Sequence, residues 1–254
     1  MTARLIPRQE LPRQELHHRR VSNRRVPPCR RTRIEQTRTE NRMTMMHSLT
    51  RGAVALALVA LTSLSCAAEP EEGKDYARLA KPQAIETGSK IEVIEFFSFS
   101  CPHCRDIEPV LSPWVKQLPP DVQFRRIPAQ FSPAWTATAK VWYTLDAMGE
   151  ERLVPAVFNA LHGQNIRLDQ DKAFFDWAAT QGLDRKKVED VYNSFAVNGK
   201  VARAKTLVQN YSIQSVPNFV VDGKFTTDTQ KPKQHAEVPP LLDKLIAKAR
   251  TERK

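Results

Sequence analysis

Cys101-Pro102-His103-Cys104 sets two thiols two residues apart, a spacing at which the second sulfur can reach back and close a disulfide with the first. Reactivity then depends on where the pair lies. The run before it, Ile-Glu-Val-Ile-Glu-Phe-Phe-Ser-Phe-Ser from Ile91 to Ser100, is β-branched, aromatic and nearly apolar throughout, the pattern of a central strand covered on both faces. From Cys101 to Leu118 the apolar residues Ile107, Val110, Leu111, Trp114, Val115 and Leu118 recur at three and four, the period of a helix, which Pro109 and Pro113 are expected to kink. The pair therefore falls at a helix N-terminus, where unpaired N–H groups and a partial positive charge stabilise a thiolate on Cys101 and lower its pKa. Pro102 removes an N–H that would lack a partner there in any case. His103 adds a donor or a positive charge if it faces the sulfur, and is otherwise a solvated surface residue. A stabilised thiolate favours the dithiol form, so the disulfide is expected to be an oxidant.

Competing uses of the pair are weaker. A structural bridge over two residues closes too small a loop to restrain much of the unfolded chain. A zinc site would need more ligands than Cys101, Cys104 and the scattered His103, His162 and His235 offer, and covalent haem attachment would need a histidine where Arg105 stands. No metal or cofactor is expected.

The elements that position the pair can be read along the rest of the chain. Residues 122–127 form a second strand, completing a β-α-β unit. From Pro133 to Leu207 the pattern is one of consecutive helices, with breaks near Gly149-Glu150, Gly163-Gln164, Gly182-Leu183 and Asn198-Gly199, and with Asp169 and Asp184 as caps. Asn218 to Asp222 is strand-like, Asp222-Gly223 is a hairpin turn signal, and the strand pattern resumes at Lys224. A final amphipathic helix runs from Val238 to Ala249. Strands at both ends with helices between them imply an α/β domain with a central mixed sheet, interrupted by an all-helical insertion. The expected division is 69–132 and 208–254 for the sheet domain and 133–207 for the insertion.

The net charge of +11 over 254 residues suggests nucleic-acid binding until it is divided along the chain. Residues 1–42 hold 12 Arg against 4 Glu, whereas residues 69–254 carry 26 Lys and Arg against 24 Asp and Glu. The sheet domain is thus nearly neutral, with no block of like charge to track phosphates, and no nucleic acid is expected. Residues 43–68 have the plan of a secretory signal: Met43, Met45, Met46 and Arg51, an apolar run from Gly52 to Leu64, then the small residues Ser65-Cys66-Ala67-Ala68. The run is short for a membrane span. Cleavage is expected near Ala68; the rival reading, Cys66 as a lipidated first residue, fits poorly because Ser63 stands where such a motif usually has Leu. The basic extension 1–42 is expected to lie upstream of the true translation start, the rivals being a basic binding arm and a twin-arginine leader at Arg24-Arg25. A cleaved leader leaves Cys101 and Cys104 as the only cysteines of a protein sent to an oxidising space.

Glu95 to Cys104 (Glu-Phe-Phe-Ser-Phe-Ser-Cys-Pro-His-Cys), the helical insertion and Ser215-Val216-Pro217-Asn218-Phe219 together resemble the DsbA family of thiol:disulfide interchange proteins, over residues 75–250. The resemblance implies a thioredoxin-like fold, with Cys101 as the exchanging thiol and Cys104 as the buried resolving thiol. It makes Val216-Pro217 the cis-proline loop, whose backbone beside Cys101 can pair with an extended substrate. Glu95, six residues before Cys101 in the apolar strand, is by itself either an edge or surface carboxylate or a buried acid; the resemblance implies the latter, with a raised pKa and the proton of Cys104 to handle. The family often sets a Lys near that acid; here the counterpart is Arg126, or Arg125 in the alternative register, and Arg holds its proton where Lys could release one. DsbA is itself the standard example of a low thiol pKa and an oxidising disulfide, so strong oxidation is what the resemblance implies. It also implies a periplasmic monomer that acts on reduced exported polypeptides and is reoxidised by a membrane DsbB-type quinone reductase. An isomerase or reductase of the same fold is the nearest rival, although residues 69–90 leave no room for the N-terminal dimerisation domain of such isomerases. A polypeptide-binding chaperone is the rival from a different class.

Overall fold

Seven consecutive buried residues, Ile91–Phe97, form the strand around which the chain is organised. A computed structural model describes residues 69–228 and 234–253; the basic extension, the leader and Cys66 lie outside them. In chain order the elements are β1 (Ala77–Arg78), β2 (Ile91–Phe97), α1 (Pro102–Val115), β3 (Val122–Pro128), α2 (Pro133–Met148), α3 (Val154–His162), α4 (Asp171–Thr180), α5 (Arg185–Tyr192), α6 (Phe195–Asn210), β4 (Asn218–Val221), β5 (Phe225–Asp228) and α7 (Val238–Glu252). The strands make one mixed sheet in the order β1-β5-β4-β2-β3. β2 pairs parallel with β3 and antiparallel with β4, so it is central and needs apolar cover on both faces.

The two faces of β2 meet different helices. Ile91 and Val93 pack with Ile107 and Leu111 of α1 and Leu242, Leu245 and Ile246 of α7. Ile94 and Phe96 face the other core, where Trp142, Phe158, Phe174, Trp177 and Tyr192 of the inserted helices gather. Side chains alternate along a strand, so Glu95 shares its face with Ile91 and Val93 and points toward α1.

Local chemistry accounts for most element ends. Ser132, Asp184 and Ser194 each accept a bond from a backbone N–H three residues on, capping α2, α5 and α6. At the β4–β5 hairpin Asp222 and Gly223 have φ of 56° and 62°, the mirror-image turn suited to strand twist. Only glycine fits the second position, because a Cβ there would lie 2.2 Å from the Gln83 carbonyl oxygen.

Three expectations are corrected. No break falls at Asn198-Gly199: α6 runs through it, and the chain turns one helical turn earlier, where Ser194 supplies a cap. Asp169 does not cap α4, since its carboxylate is taken by the Arg167 guanidinium at 2.8 and 2.7 Å and Gln170 stands at the cap position. The first helix ends at Val115, short of Leu118, while running unbroken past Pro109 and Pro113.

Asp184→Ala is expected to lower stability by about 1 kcal/mol through loss of its cap bond to the Lys187 N–H. Urea denaturation would measure this, with thiol exchange unchanged because α5 is remote from the cysteines in the chain and shares no bond with them.

Candidate active site

Cys101 is the N-cap of α1, with extended backbone (φ −92°, ψ 118°), and Pro102 opens the helix. The strand-to-helix junction inferred from hydrophobic period is therefore present. Cys101 is 6% exposed and Cys104 is fully buried, while Pro102 and His103 face solvent. Both cysteines are in the free thiol form. The Cys101 thiol donates to the Val216 carbonyl at 3.5 Å, and the Val216-Pro217 bond is cis. The Ser215–Phe219 loop thus comes to the sulfur from the far end of the chain, 115 residues away.

The two thiols are electrostatically unlike. The Cys101 pKa is lowered from the ordinary 9.0 to about 6: the largest cause is the bond from the Cys104 thiol, burial opposes it, and the N–H groups of Cys104 and His103 and the His103 charge add to the lowering. Burial pushes Cys104 well above the ordinary thiol value, and its bond with Cys101 and the Cys101 and Glu95 charges push the same way, against a bond from the Ser98 backbone. At pH 7 a group with a pKa of about 6 is ionised roughly ten to one. The Cys101 sulfur is therefore the one disposed to ionise, while Cys104 holds its proton.

Beneath the pair lies a buried charge cluster. Glu95 stands opposite Arg126 in the β2–β3 register. The Arg126 guanidinium donates through Nε to Glu95 Oε2 and through Nη2 to Glu108 Oε2, both at 2.8 Å, and the Ser112 hydroxyl completes the shell of Glu108. All three charged side chains are at least nine-tenths buried. Two carboxylates around one cation sum to −1 in a dry site, which favours taking up a proton. Burial accordingly raises the Glu95 pKa to about 7, with Arg126 opposing and Glu108 and Cys101 reinforcing. Arg125, the alternative partner, points to the other face and binds Glu92 at 2.7 Å and Glu86 at 2.9 Å.

Glu108 was not among the residues singled out from sequence. It lies four after Cys104 and four before Ser112, so it shares the inward stripe of α1; that spacing was the available signal. Among the described residues no group of three or more His, Cys, Asp or Glu side chains could hold a metal.

A mixed sheet with a Cys-x-x-Cys at the start of α1, faced by a cis-proline loop, defines a thiol:disulfide oxidoreductase with a thioredoxin-like fold. Comparison with known proteins narrows the class. Residues 92–238 match the family model for the DSBA-like thioredoxin domain. The thiol:disulfide interchange protein DsbA of Burkholderia cepacia is 37% identical over 195 residues, covering 76% of this chain and 92% of the relative. That of Pseudomonas syringae pv. tomato is 40% identical over 205 residues, covering 80% and 96%. The crystal structure of Pseudomonas aeruginosa DsbA superposes with a TM-score of 0.70 at 37% identity, over 72% of this chain and 96% of that one. Reduced DsbA1 from Neisseria meningitidis gives 0.66 at 28% identity, over 73% and 97%. The chain belongs to the DsbA family.

The two shifted groups act oppositely on stability in the reduced protein. Cys101 titrates below its usual value, so its contribution is full above pH 9, and is lost as pH falls through about 6. Glu95 titrates above its usual 4.5, so its contribution is full below pH 4.5 and is lost as pH rises through about 7. Glu95→Gln should therefore remove a decline in stability between pH 4.5 and 7, and Cys101→Ser a rise between pH 6 and 9, both measurable by urea denaturation across that range.

Proposed function

We propose that the chain donates its Cys101–Cys104 disulfide to reduced cysteine pairs of exported polypeptides in the periplasm. The carrying observation is the asymmetry of the thiols, with Cys101 lowered to about 6 and Cys104 raised. In the first step a substrate thiolate attacks the Cys101 sulfur, the Cys101–Cys104 bond breaks, and Cys104 leaves as a thiolate that takes a proton. Glu95, with a pKa of about 7, is the proposed donor of that proton. In the second step another substrate thiolate attacks the substrate sulfur of the mixed disulfide and expels Cys101 as its stable thiolate. The substrate leaves oxidised and the protein reduced by two electrons.

Other residues take supporting roles in this reading. Pro102 and His103 shape and charge the first turn of α1. Val216 and Pro217 present backbone to an extended substrate segment, which can pair with it as a strand would. Reoxidation is assigned to a membrane quinone reductase of the DsbB type, and the working form is a monomer with the leader at 43–68 removed. Residues 69–132 and 208–254 serve as the redox domain and 133–207 as the helical insertion.

An equilibrium of the purified protein against glutathione tests the direction. The reduced form is expected to predominate even in a largely oxidised glutathione buffer; a pair that stays disulfide-bonded in reduced glutathione would overturn the assignment. Replacing both cysteines by serine should bring oxidation of a reduced substrate protein to background. Retention of folding assistance by that variant would instead favour a chaperone.

A further inference from the structure

Three residues, 98–100, join the end of β2 to the cap of α1, and their geometry decides where the Cys101 sulfur sits. Within this connection the Cys101 N–H donates to the Ser98 carbonyl at 3.1 Å and the Ser100 N–H to Ser98 Oγ at 3.1 Å. The Cys104 side chain is bonded by the Ser98 backbone, and two further side-chain ties come from the helical insertion. The Phe99 carbonyl bonds to His162 Nε2 at 2.7 Å; a carbonyl only accepts, so Nε2 carries a proton. The Ser100 hydroxyl lies 3.3 Å from Thr138 Oγ1, which already donates to the Trp135 carbonyl, so Ser100 is the donor.

His162 is placed to hold that carbonyl firmly. It is the last residue of α3, and the Asn159 carbonyl closes the helix end by accepting from the N–H groups of Gly163 and Gln164. Its ring stacks on Phe158, four residues earlier on the same side of α3, with centroids 6.3 Å apart. Phe158 in turn meets the Phe99 ring edge-on at 5.1 Å. One helix thus holds both the ring and the carbonyl of Phe99, two residues before the nucleophile.

Two cavities border His162. A cavity of about 500 Å³ runs along α1, lined by Arg105, Pro109, Pro155 and Phe158, and another of about 260 Å³ lies beside Ser100. His162 lines both. Packing on Phe97, Trp142 and Phe158 fixes the Phe99 ring, whereas the His162 bond is the side-chain tie on the Phe99 carbonyl.

We propose that His162 is a positioning residue for thiol exchange, holding the β2–α1 connection so that the Cys101 sulfur stays aligned with the N–H groups of the first turn of α1. The inference rests on Cys101 being the exchanging thiol, which loss of exchange in Cys101→Ser tests separately. His162→Phe keeps an aromatic ring against Phe158 without the donor, and His162→Gln restores an N–H donor at comparable reach. In the reduced full chain, the pH dependence of Cys101 alkylation by iodoacetamide, resolved from Cys104 by peptide fragmentation, reads the thiolate midpoint.

The midpoint is expected to rise by roughly half a unit in His162→Phe, about threefold less thiolate per thiol, and to return toward the parent in His162→Gln. A midpoint unmoved in His162→Phe, even with a lower melting temperature, would leave His162 a packing residue and overturn the proposal, as would failure of His162→Gln to restore it. Should His162→Phe not fold, Thr138→Val loosens the same connection at Ser100 and must move the midpoint in the same direction; no movement there overturns the proposal equally.

Discussion

A helix cannot bond the N–H groups of its own first turn, and in this chain a sulfur stands where they point. Cys101 stands at the N-cap of α1, and a charge on its sulfur is met first by the Cys104 thiol and then by the N–H groups of Cys104 and His103. Everything around it serves that arrangement. β2 is buried on both faces, and its end is thereby fixed between two cores. α1 begins five residues later, and the proline at its first position supplies the helical φ at no loss of a needed donor. The cis-proline loop then closes over the sulfur from the far end of the chain, setting the Val216 carbonyl against it.

The charge beneath the thiols follows from the same sheet. The parallel register of β2 and β3 sets Arg126 beside Glu95, and the α1 stripe sets Glu108 on the guanidinium's other edge. The Arg126 guanidinium also lies 5.4 to 6.0 Å from the ring centres of Phe97, Phe124 and Trp142, an aromatic setting that suits a planar, weakly hydrated cation. An ion pair so enclosed gains little net stability, because desolvation offsets the attraction. Its effect is on proton affinity: with two carboxylates and one permanent cation, only a carboxylate can change its charge near neutral pH.

Much of the site is legible from sequence, since its signals are local. A strand-period run, a helix-period run and the cysteines between them suffice to place Cys101 at a helix start. Period two distinguishes Arg126 from Arg125 once the strands are in register. What escapes is set by long-range packing. Glu108 is buried on a face whose apolar period would be read as wholly hydrophobic, and His162 meets Phe99 only because the insertion folds back across 63 residues. Asp169 and Gly199 mislead for a related reason. A capping residue type has a rival use, here the Arg167 ion pair, and a lone glycine inside a helix costs only about 1 kcal/mol, which tertiary contacts override.

A Cys101 pKa lowered to about 6 also sets how the couple responds to acidity. Forming two neutral thiols from a disulfide consumes two electrons and two protons, so below pH 6 the reduction potential should fall by about 59 mV per unit of pH. Above pH 6 one product sulfur keeps its charge and only one proton is consumed, which halves the gradient to about 30 mV. In a compartment open to outside acidity, oxidising strength would then be buffered across neutral conditions and would steepen only when the surroundings turn acid.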